Sequence, residues 1–91
     1  MKYSIDYNAK AKEDLRKLKR SEPAAFKKVV QLLNELAEHP RTGTGHPEQL
    51  KGDLAGLWSR TITKKHRLVY EIQEEVVLVL VLTAYGHYDE K

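Results

Sequence analysis

The feature that most constrains the fold is a succession of short β-rich runs joined by connections too short to hold a helix. The runs span residues 48–51, 57–63, 66–72 and 76–83. Strands that follow one another through such short turns pair antiparallel. The segment Val76–Leu82 is continuously apolar, which indicates a central strand covered on both faces. The second half of the chain therefore predicts an antiparallel meander.

The first half of the chain begins with a predicted strand and a helix. Residues 2–7 alternate between polar and apolar side chains, as a half-buried strand does. Asn8 suits the N-cap of a helix from Ala9 to about Lys19, because its side-chain oxygen can accept a backbone N–H of the first turn.

A second helix is marked at both ends. Ser21 is its predicted N-cap, and Pro23 is tolerated in a first turn, where a missing N–H costs nothing. The helix should stop near Glu38, because Pro40 disfavours helical geometry at the residue before it. Two tightly connected helices form a hairpin whose apolar stripe covers one face of a sheet. We therefore expect one α+β domain over residues 1–91, with an antiparallel sheet packed against an N-terminal helical hairpin.

The composition is that of a soluble globular domain, with 41% hydrophobic and 32% charged residues. Cysteine is absent, which excludes a disulfide framework and a thiolate metal site and suits a reducing cytosol. The N-terminus lacks a signal-peptide segment, and Val76–Leu82 is far shorter than the roughly 20 residues that cross a bilayer. We expect a cytoplasmic protein with no membrane partner.

The net charge of +3 is unevenly distributed. One basic cluster lies on the predicted first helix and comprises Lys10, Lys12, Arg16, Lys17, Lys19 and Arg20. A second lies in the sheet region and comprises Lys51, Arg60, Lys64, Lys65 and Arg67. Basic clusters favour a polyanion partner, because neutralising phosphates releases condensed counterions. The helix cluster alone is better explained as a solvated face, and composition leaves open whether the partner is a nucleic acid or an acidic protein.

The sheet region and the chain end carry side chains suited to RNA cleavage. Attack by a ribose 2′-hydroxyl needs a base, an acid for the leaving 5′-oxygen and fixed positive charge at phosphorus. Glu48 is the candidate base and His87 the candidate acid. Arg67 and Arg60 are candidates for the positive charge, and Tyr88 for a proton donor or a stacking platform.

Each of these residues also has an ordinary structural interpretation. Glu48 at a loop-to-strand junction suits a solvated carboxylate, and His87 near the chain end suits a surface side chain. Arg67 could be an outward ion-pair partner. Trp58 is more typical of core packing than of base stacking, and Tyr70 is typical of strand core, as is Leu68.

Strand pairing decides whether the candidates can meet. Two-residue turns would set Arg67 opposite Ile62 on one side and opposite Leu82 on the other. His87 would then lie well beyond Arg67 unless the chain bends back, which Gly86 permits.

Cofactor binding is not predicted. The four histidines, His39, His46, His66 and His87, match no HExxH pair or other short ligand spacing. The loop at residues 41–47 contains two glycines but no phosphate-binding motif, and no strand precedes it. We therefore expect neither a metal nor a nucleotide cofactor.

Four ordered motifs carry a family resemblance. Pro47-Glu-Gln-Leu50, Trp58-Ser-Arg60, His66-Arg-Leu-Val-Tyr70 and Gly86-His-Tyr88 together resemble the YoeB/Txe toxins of the RelE/ParE superfamily. The resemblance covers nearly the whole chain. It implies a microbial-RNase-like fold and ribosome-dependent cleavage of mRNA at the A site.

The resemblance also implies residue roles and partners. Glu48 resembles the family's general base, Arg67 its phosphate-stabilising arginine, His87 its general acid and Tyr88 its terminal tyrosine. Backbone-contacting cations are implied at Lys51 and Arg60, and the lysine pair Lys64-Lys65 would add contacts to RNA. The implied partners are the ribosome with its mRNA and a cognate antitoxin, YefM/Phd-like or otherwise acidic; a homodimer is left open.

Three departures from the family pattern leave the proposed catalytic groups in place. Thr61 replaces a second arginine, Lys64-Lys65 replaces an often acidic turn, and residues 89–91 extend past the tyrosine. Two other functions remain open on the same fold, namely a ParE-like inhibitor of a topoisomerase and a non-catalytic relative that only binds an antitoxin.

Overall fold

The computed structural model describes residues 2–86, in which two helices pack on one face of a five-stranded sheet. The helices are α1 (Ala9–Ser21) and α2 (Pro23–Glu38). The strands are β1 (Ser4–Tyr7), β2 (Glu48–Gln49), β3 (Leu57–Thr61), β4 (Arg67–Gln73) and β5 (Leu78–Thr83). The predicted α+β class is confirmed. Neither helix in this part of the chain has the length and apolarity that a bilayer crossing requires.

The sheet order is β1-β5-β4-β3-β2, and the sheet is mixed rather than antiparallel. Strands β2 to β5 form the predicted antiparallel meander. β1 pairs parallel with β5, with Ile5 opposite Val79. The prediction of a wholly antiparallel sheet is therefore wrong for β1, because a strand whose partner lies far along the chain has no short turn to fix its direction.

The predicted helix starts are confirmed at one helix and wrong at the other. Asn8 caps α1, and its side-chain oxygen accepts the N–H of Ala11 at 2.8 Å. Ser21 does not cap α2. It ends α1, where its hydroxyl donates to the carbonyl of Lys17 at 2.8 Å, a bond that helix geometry offers to any serine. Pro23 opens α2 as predicted.

The core lies between the helical hairpin and the sheet. Its buried side chains include Leu18, Val29, Leu32 and Leu36 from the helices and Leu68, Tyr70, Val79 and Val81 from the strands. Trp58 packs against this cluster and Leu68 and Tyr70 belong to it, as predicted. β5 is internal, but its residues alternate between buried and half-exposed, so the predicted full cover of both faces is wrong.

The β3–β4 connection is wider than a two-residue turn and occupies residues 62–66. Thr63 organises it, since its hydroxyl accepts the N–H groups of Lys65 and His66 at 3.1 and 3.2 Å. Thr61 therefore pairs with Arg67, and the predicted pairing with Ile62 is wrong by one position.

The predicted pairing of Arg67 with Leu82 is also wrong. The β4–β5 register shifts between Val69 and Tyr70, so Val69 pairs with Thr83 while Tyr70 pairs with Val81. Such a bulge leaves one residue of a strand without a partner opposite it, and here that residue is Leu82. The N–H of Arg67 instead donates to the carbonyl of Gly86 at 3.0 Å.

Candidate active site

One row of residues crosses the second, helix-free face of the sheet. Glu48 lies opposite Ser59, Ser59 opposite Val69, and Val69 opposite Thr83. Residues directly opposed on antiparallel strands point to the same face, and their sequence neighbours point to the other. Because Tyr70 lies in the core under the helices, this row faces away from them.

Arg67 shares this face with Glu48. It pairs with Thr61, two residues from Ser59, and its Nη1 donates to the Ser59 hydroxyl at 3.3 Å. With strands spaced at about 4.8 Å and residues at about 3.3 Å, the Cα atoms of Glu48 and Arg67 are roughly 12 Å apart. Glu48 is exposed and Arg67 half-buried. The Arg67 guanidinium therefore reaches Ser59, the residue directly opposite Glu48, on the same face of the sheet.

Gly86, the last described residue, lies beside Arg67. The carbonyl of Gly86 accepts the N–H of Arg67 at 3.0 Å, and Gly86 immediately precedes His87 and Tyr88 in the sequence. The two predicted catalytic residues of the tail lie outside the described residues, so their roles stay predictions. Gly86 is nevertheless hydrogen-bonded to the backbone of Arg67, the candidate phosphate-binding arginine.

Arg60 is not available to RNA, and its predicted role as a backbone-contacting cation is wrong. Its residue exposure is 0%. Strand alternation turns it to the helix side, where the loop at residues 41–47 surrounds it. The guanidinium donates to the carbonyls of His39 (2.6 Å), Thr42 (2.7 Å) and Thr44 (3.3 Å), to Glu35 Oε1 (3.1 Å) and to the Tyr70 hydroxyl (3.1 Å).

The carboxylate that neutralises Arg60 is itself held in the charged form. Thr44 donates its backbone N–H (2.8 Å) and its hydroxyl (2.7 Å) to Glu35, and these bonds, with the nearby Arg60 charge, hold the pKa of Glu35 below its ordinary value. Burial raises the pKa of Tyr70, which stays a neutral donor. Its hydroxyl donates to the carbonyl of Pro40 at 2.9 Å.

The glycines of this loop therefore allow it to bind the Arg60 guanidinium rather than a phosphate. A Cβ at Gly43 would lie 2.4 Å from Glu35 Oε1, and Gly43 has a φ of 122°. Gly45 has a φ of 86°, and its carbonyl accepts the N–H of Thr61 at 2.7 Å. The loop carbonyls point at a cation, which is the opposite of what anion binding needs.

The predicted RNA-binding lysines are all on the surface. Lys51 follows β2, whereas Lys64 and Lys65 lie in the β3–β4 connection at the other end of β3. All three residues are exposed. Their contact with RNA remains a prediction. Residues 2–86 contain no group of three or more His, Asp or Glu side chains arranged to hold a metal ion.

Sequence reasoning missed two buried polar residues that bind the backbone of residues 84–86. Asp14 is paired with Lys10 at 2.9 Å and accepts the N–H of Ala84 at 3.0 Å. It stands on the apolar stripe of α1, and this pattern could have identified it as a buried polar residue. His66 contacts both Glu22 and Gly86, and no local pattern signals this.

Comparison with solved structures defines the class. The fold matches the YoeB/ParE toxin from Agrobacterium tumefaciens with a TM-score of 0.88, at 32% identity, over 93% of this chain and 99% of that one. The Staphylococcus aureus YoeB of a dimer structure matches with a TM-score of 0.84 at 29% identity, over 97% and 100% of the two chains. The class is that of the small α+β toxins with a RelE-type fold.

Sequence comparison defines the family. Residues 7–88 match the model of the YoeB-like toxins of bacterial type II toxin-antitoxin systems. Toxin YoeB of Streptomyces coelicolor is 39% identical over 84 residues, which cover 92% of this chain and 98% of the relative. Toxin YoeB of Mycobacterium bovis is 34% identical over 77 residues, or 85% and 91% of the two chains. The chain belongs to the YoeB family of type II toxins, and the resemblance found in its motifs is confirmed.

Proposed function

We propose that this toxin is a ribosome-dependent mRNA endonuclease. The observation that carries the proposal is the placement of Glu48 and Arg67 on the helix-free face of the sheet, with the N–H of Arg67 hydrogen-bonded to the carbonyl of Gly86, the residue before His87 in the sequence. Strand pairing therefore brings the candidate base and the candidate phosphate-binding cation to one face, although they are far apart in the sequence, and the candidate acid follows Gly86 in the sequence.

The chemistry is a transesterification that needs no metal. Glu48 removes the proton of a ribose 2′-hydroxyl, and the oxygen attacks the adjacent phosphorus. The bond from phosphorus to the 5′-oxygen breaks, and His87 gives that oxygen a proton. Arg67 stabilises the charge that builds on the phosphoryl oxygens, and Tyr88 donates a proton or stacks on a base. The products are a 2′,3′-cyclic phosphate and a 5′-hydroxyl.

Partners follow from the relatives. YoeB of Staphylococcus aureus has been solved in complex with YefM and as a dimer. We propose a YefM-like antitoxin for this chain, with an acidic segment that lies over the face of Arg67 and excludes RNA. The net charge of +3 and the exposed Lys51, Lys64 and Lys65 suit both an acidic antitoxin and a ribosome-held mRNA.

Primer extension on mRNA in a purified translation system tests the proposal. Wild-type toxin should cut at the A-site codon, and Glu48→Gln should slow cleavage by about 10²- to 10⁴-fold, the range for loss of a general base. Glu75→Gln is the matched control, because Glu75 is an exposed carboxylate in the segment Glu74–Val76 at the β4–β5 connection.

A second assay separates this function from the alternative of topoisomerase inhibition. The toxin should leave gyrase supercoiling unchanged at concentrations that arrest translation. Intact mRNA together with inhibited supercoiling would refute the endonuclease and establish the ParE-like activity. Intact mRNA, normal supercoiling and normal growth would identify a non-catalytic relative.

A further inference from the structure

The segment that leads into the tail is held by a buried histidine. His66 Nδ1 accepts the N–H of Gly86 at 2.9 Å, and its Nε2 lies 2.7 Å from a carboxylate oxygen of Glu22. The His66 side chain is only 4% exposed. The ring of Tyr85 packs against it, with 4.3 Å between the ring centroids.

These two contacts fix the tautomer of His66. A backbone N–H can only donate, so Nδ1 must be unprotonated to accept it. The imidazole proton then lies on Nε2, from which it is donated to Glu22. Glu22, at the junction of the two helices, thus selects the tautomer that binds the N–H of Gly86.

Gly86 is held at both of its polar backbone groups. Its N–H donates to the His66 ring. Its carbonyl accepts the N–H of Arg67, the residue that follows His66, at 3.0 Å. Gly86 has a φ of 82°, a conformation that glycine adopts freely. Because two successive residues, His66 and Arg67, bind the N–H and the carbonyl of Gly86, Gly86 is fixed relative to the backbone of Arg67.

We propose that His66 is a positioning residue for the toxin's RNA cleavage and that Glu22 supports it by fixing the imidazole tautomer. The pair holds Gly86, the residue before His87 in the sequence, against the backbone of Arg67. The inference rests on the proposed function, since it assigns His66 to the same reaction. Because the His66 side chain is buried, we assign it a positioning role through its bond to Gly86 rather than contact with the RNA.

The chain offers a matched pair of variants that separates positioning from simple core packing. His66→Asn places an amide oxygen near the position of Nδ1, where it can still accept from Gly86, but it does not reach Glu22. His66→Gln places an amide N–H near the position of Nε2, where it can still donate to Glu22, but it leaves the Gly86 N–H without its acceptor. Each variant keeps one of the two hydrogen bonds and removes the imidazole ring.

Cleavage should depend on the bond to Gly86. We expect His66→Asn to cut within about threefold of wild type and His66→Gln to lose about tenfold in kcat with KM unchanged, the rate equivalent of one lost hydrogen bond. Glu22→Leu, which leaves the Nε2 proton without an acceptor, should lower kcat in the same direction as His66→Gln.

A measurement independent of activity completes the test. Amide hydrogen exchange of Gly86 should be protected in wild type and His66→Asn and fast in His66→Gln, and ¹⁵N spectra of the wild-type imidazole should show an unprotonated Nδ1. Equal kcat and equal protection in the two His66 variants would overturn the proposal. If wild-type toxin cuts no mRNA, the proposed function fails, whereas the Gly86 exchange pattern still reports whether the His66 contact exists.

Discussion

Replacing Arg60 or Arg67 by methionine should show that Arg60 stabilises the fold and that Arg67 takes part in RNA cleavage. Arg60 is fully buried and donates to three loop carbonyls, Glu35 and the Tyr70 hydroxyl. Arg67 is half-buried, and its guanidinium donates to the Ser59 hydroxyl at 3.3 Å. The same substitution therefore removes very different sets of contacts at the two positions.

The expected magnitudes follow from these contacts. Arg60→Met leaves the Glu35 carboxylate without its cation and several acceptors without a donor, and loss of one member of a buried ion pair costs about 3–5 kcal/mol. A small domain has only about 5–15 kcal/mol of stability, so Arg60→Met should be close to unfolding. Arg67→Met should cost less than about 1 kcal/mol, the value of one long hydrogen bond.

Urea denaturation followed by the fluorescence of Trp58, the only tryptophan, measures the loss of stability in each variant. Primer extension at equal concentrations of folded protein measures the loss of mRNA cleavage. We expect Arg67→Met to be stable and to lose at least about 10²-fold in cleavage, the range for loss of one charge-stabilising group. A stable Arg60→Met variant that has lost cleavage would refute this assignment, since it would mean that Arg60 contacts the RNA.

Two further predictions concern the loop around Arg60. Gly43→Ala should lower stability by about 1–2 kcal/mol or more, because Gly43 has a φ of 122° and the new Cβ would lie 2.4 Å from Glu35 Oε1. Gly52→Ala is the control, as Gly52 also has a positive φ, of 64°, but open space around it; equal losses in urea melts would show that the Glu35 contact is unimportant. Because the folded-state pKa of Glu35 is lowered, its stabilising contribution is complete above the ordinary glutamate pKa of about 4.3 and is lost as the pH falls through the lowered folded value. Glu35→Gln should therefore flatten the fall in stability below about pH 4 in urea titrations, and an unchanged acid slope would contradict the proposed pairing with Thr44 and Arg60.

Local signals in the sequence predicted the elements whose causes are local. Asn8 and Pro23 mark helix starts because capping and the missing proline N–H act within one turn. The N-cap of α2 was predicted one residue too early, at Ser21 rather than Glu22, because the Ser21 hydroxyl instead donates to a carbonyl four residues back inside α1. The alternation of strand residues likewise identified Leu68 and Tyr70 as core.

Features that depend on distant partners could not be predicted in this way. The direction of β1 is set by β5, near the other end of the chain. The one-position error in the β3–β4 register arose because Thr63 widens the turn through its side chain. In the candidate site, Glu48 and Arg67 lie on one face of the sheet because of how β2, β3 and β4 pair. The burial of Arg60 depends on a loop that only the folded chain brings around it.

The order of the strands also offers a way to observe the toxin at work. β1 and β2 are the two margins of the sheet, so Ser4 stands four strand intervals, or about 19 Å, from the margin that carries Glu48. The chain has no cysteine, and Ser4 is exposed. Ser4→Cys would accept a single fluorescent dye. The dye would lie on the same sheet as the reacting groups without covering them. Energy transfer to this dye would then time the binding of an antitoxin or a ribosome.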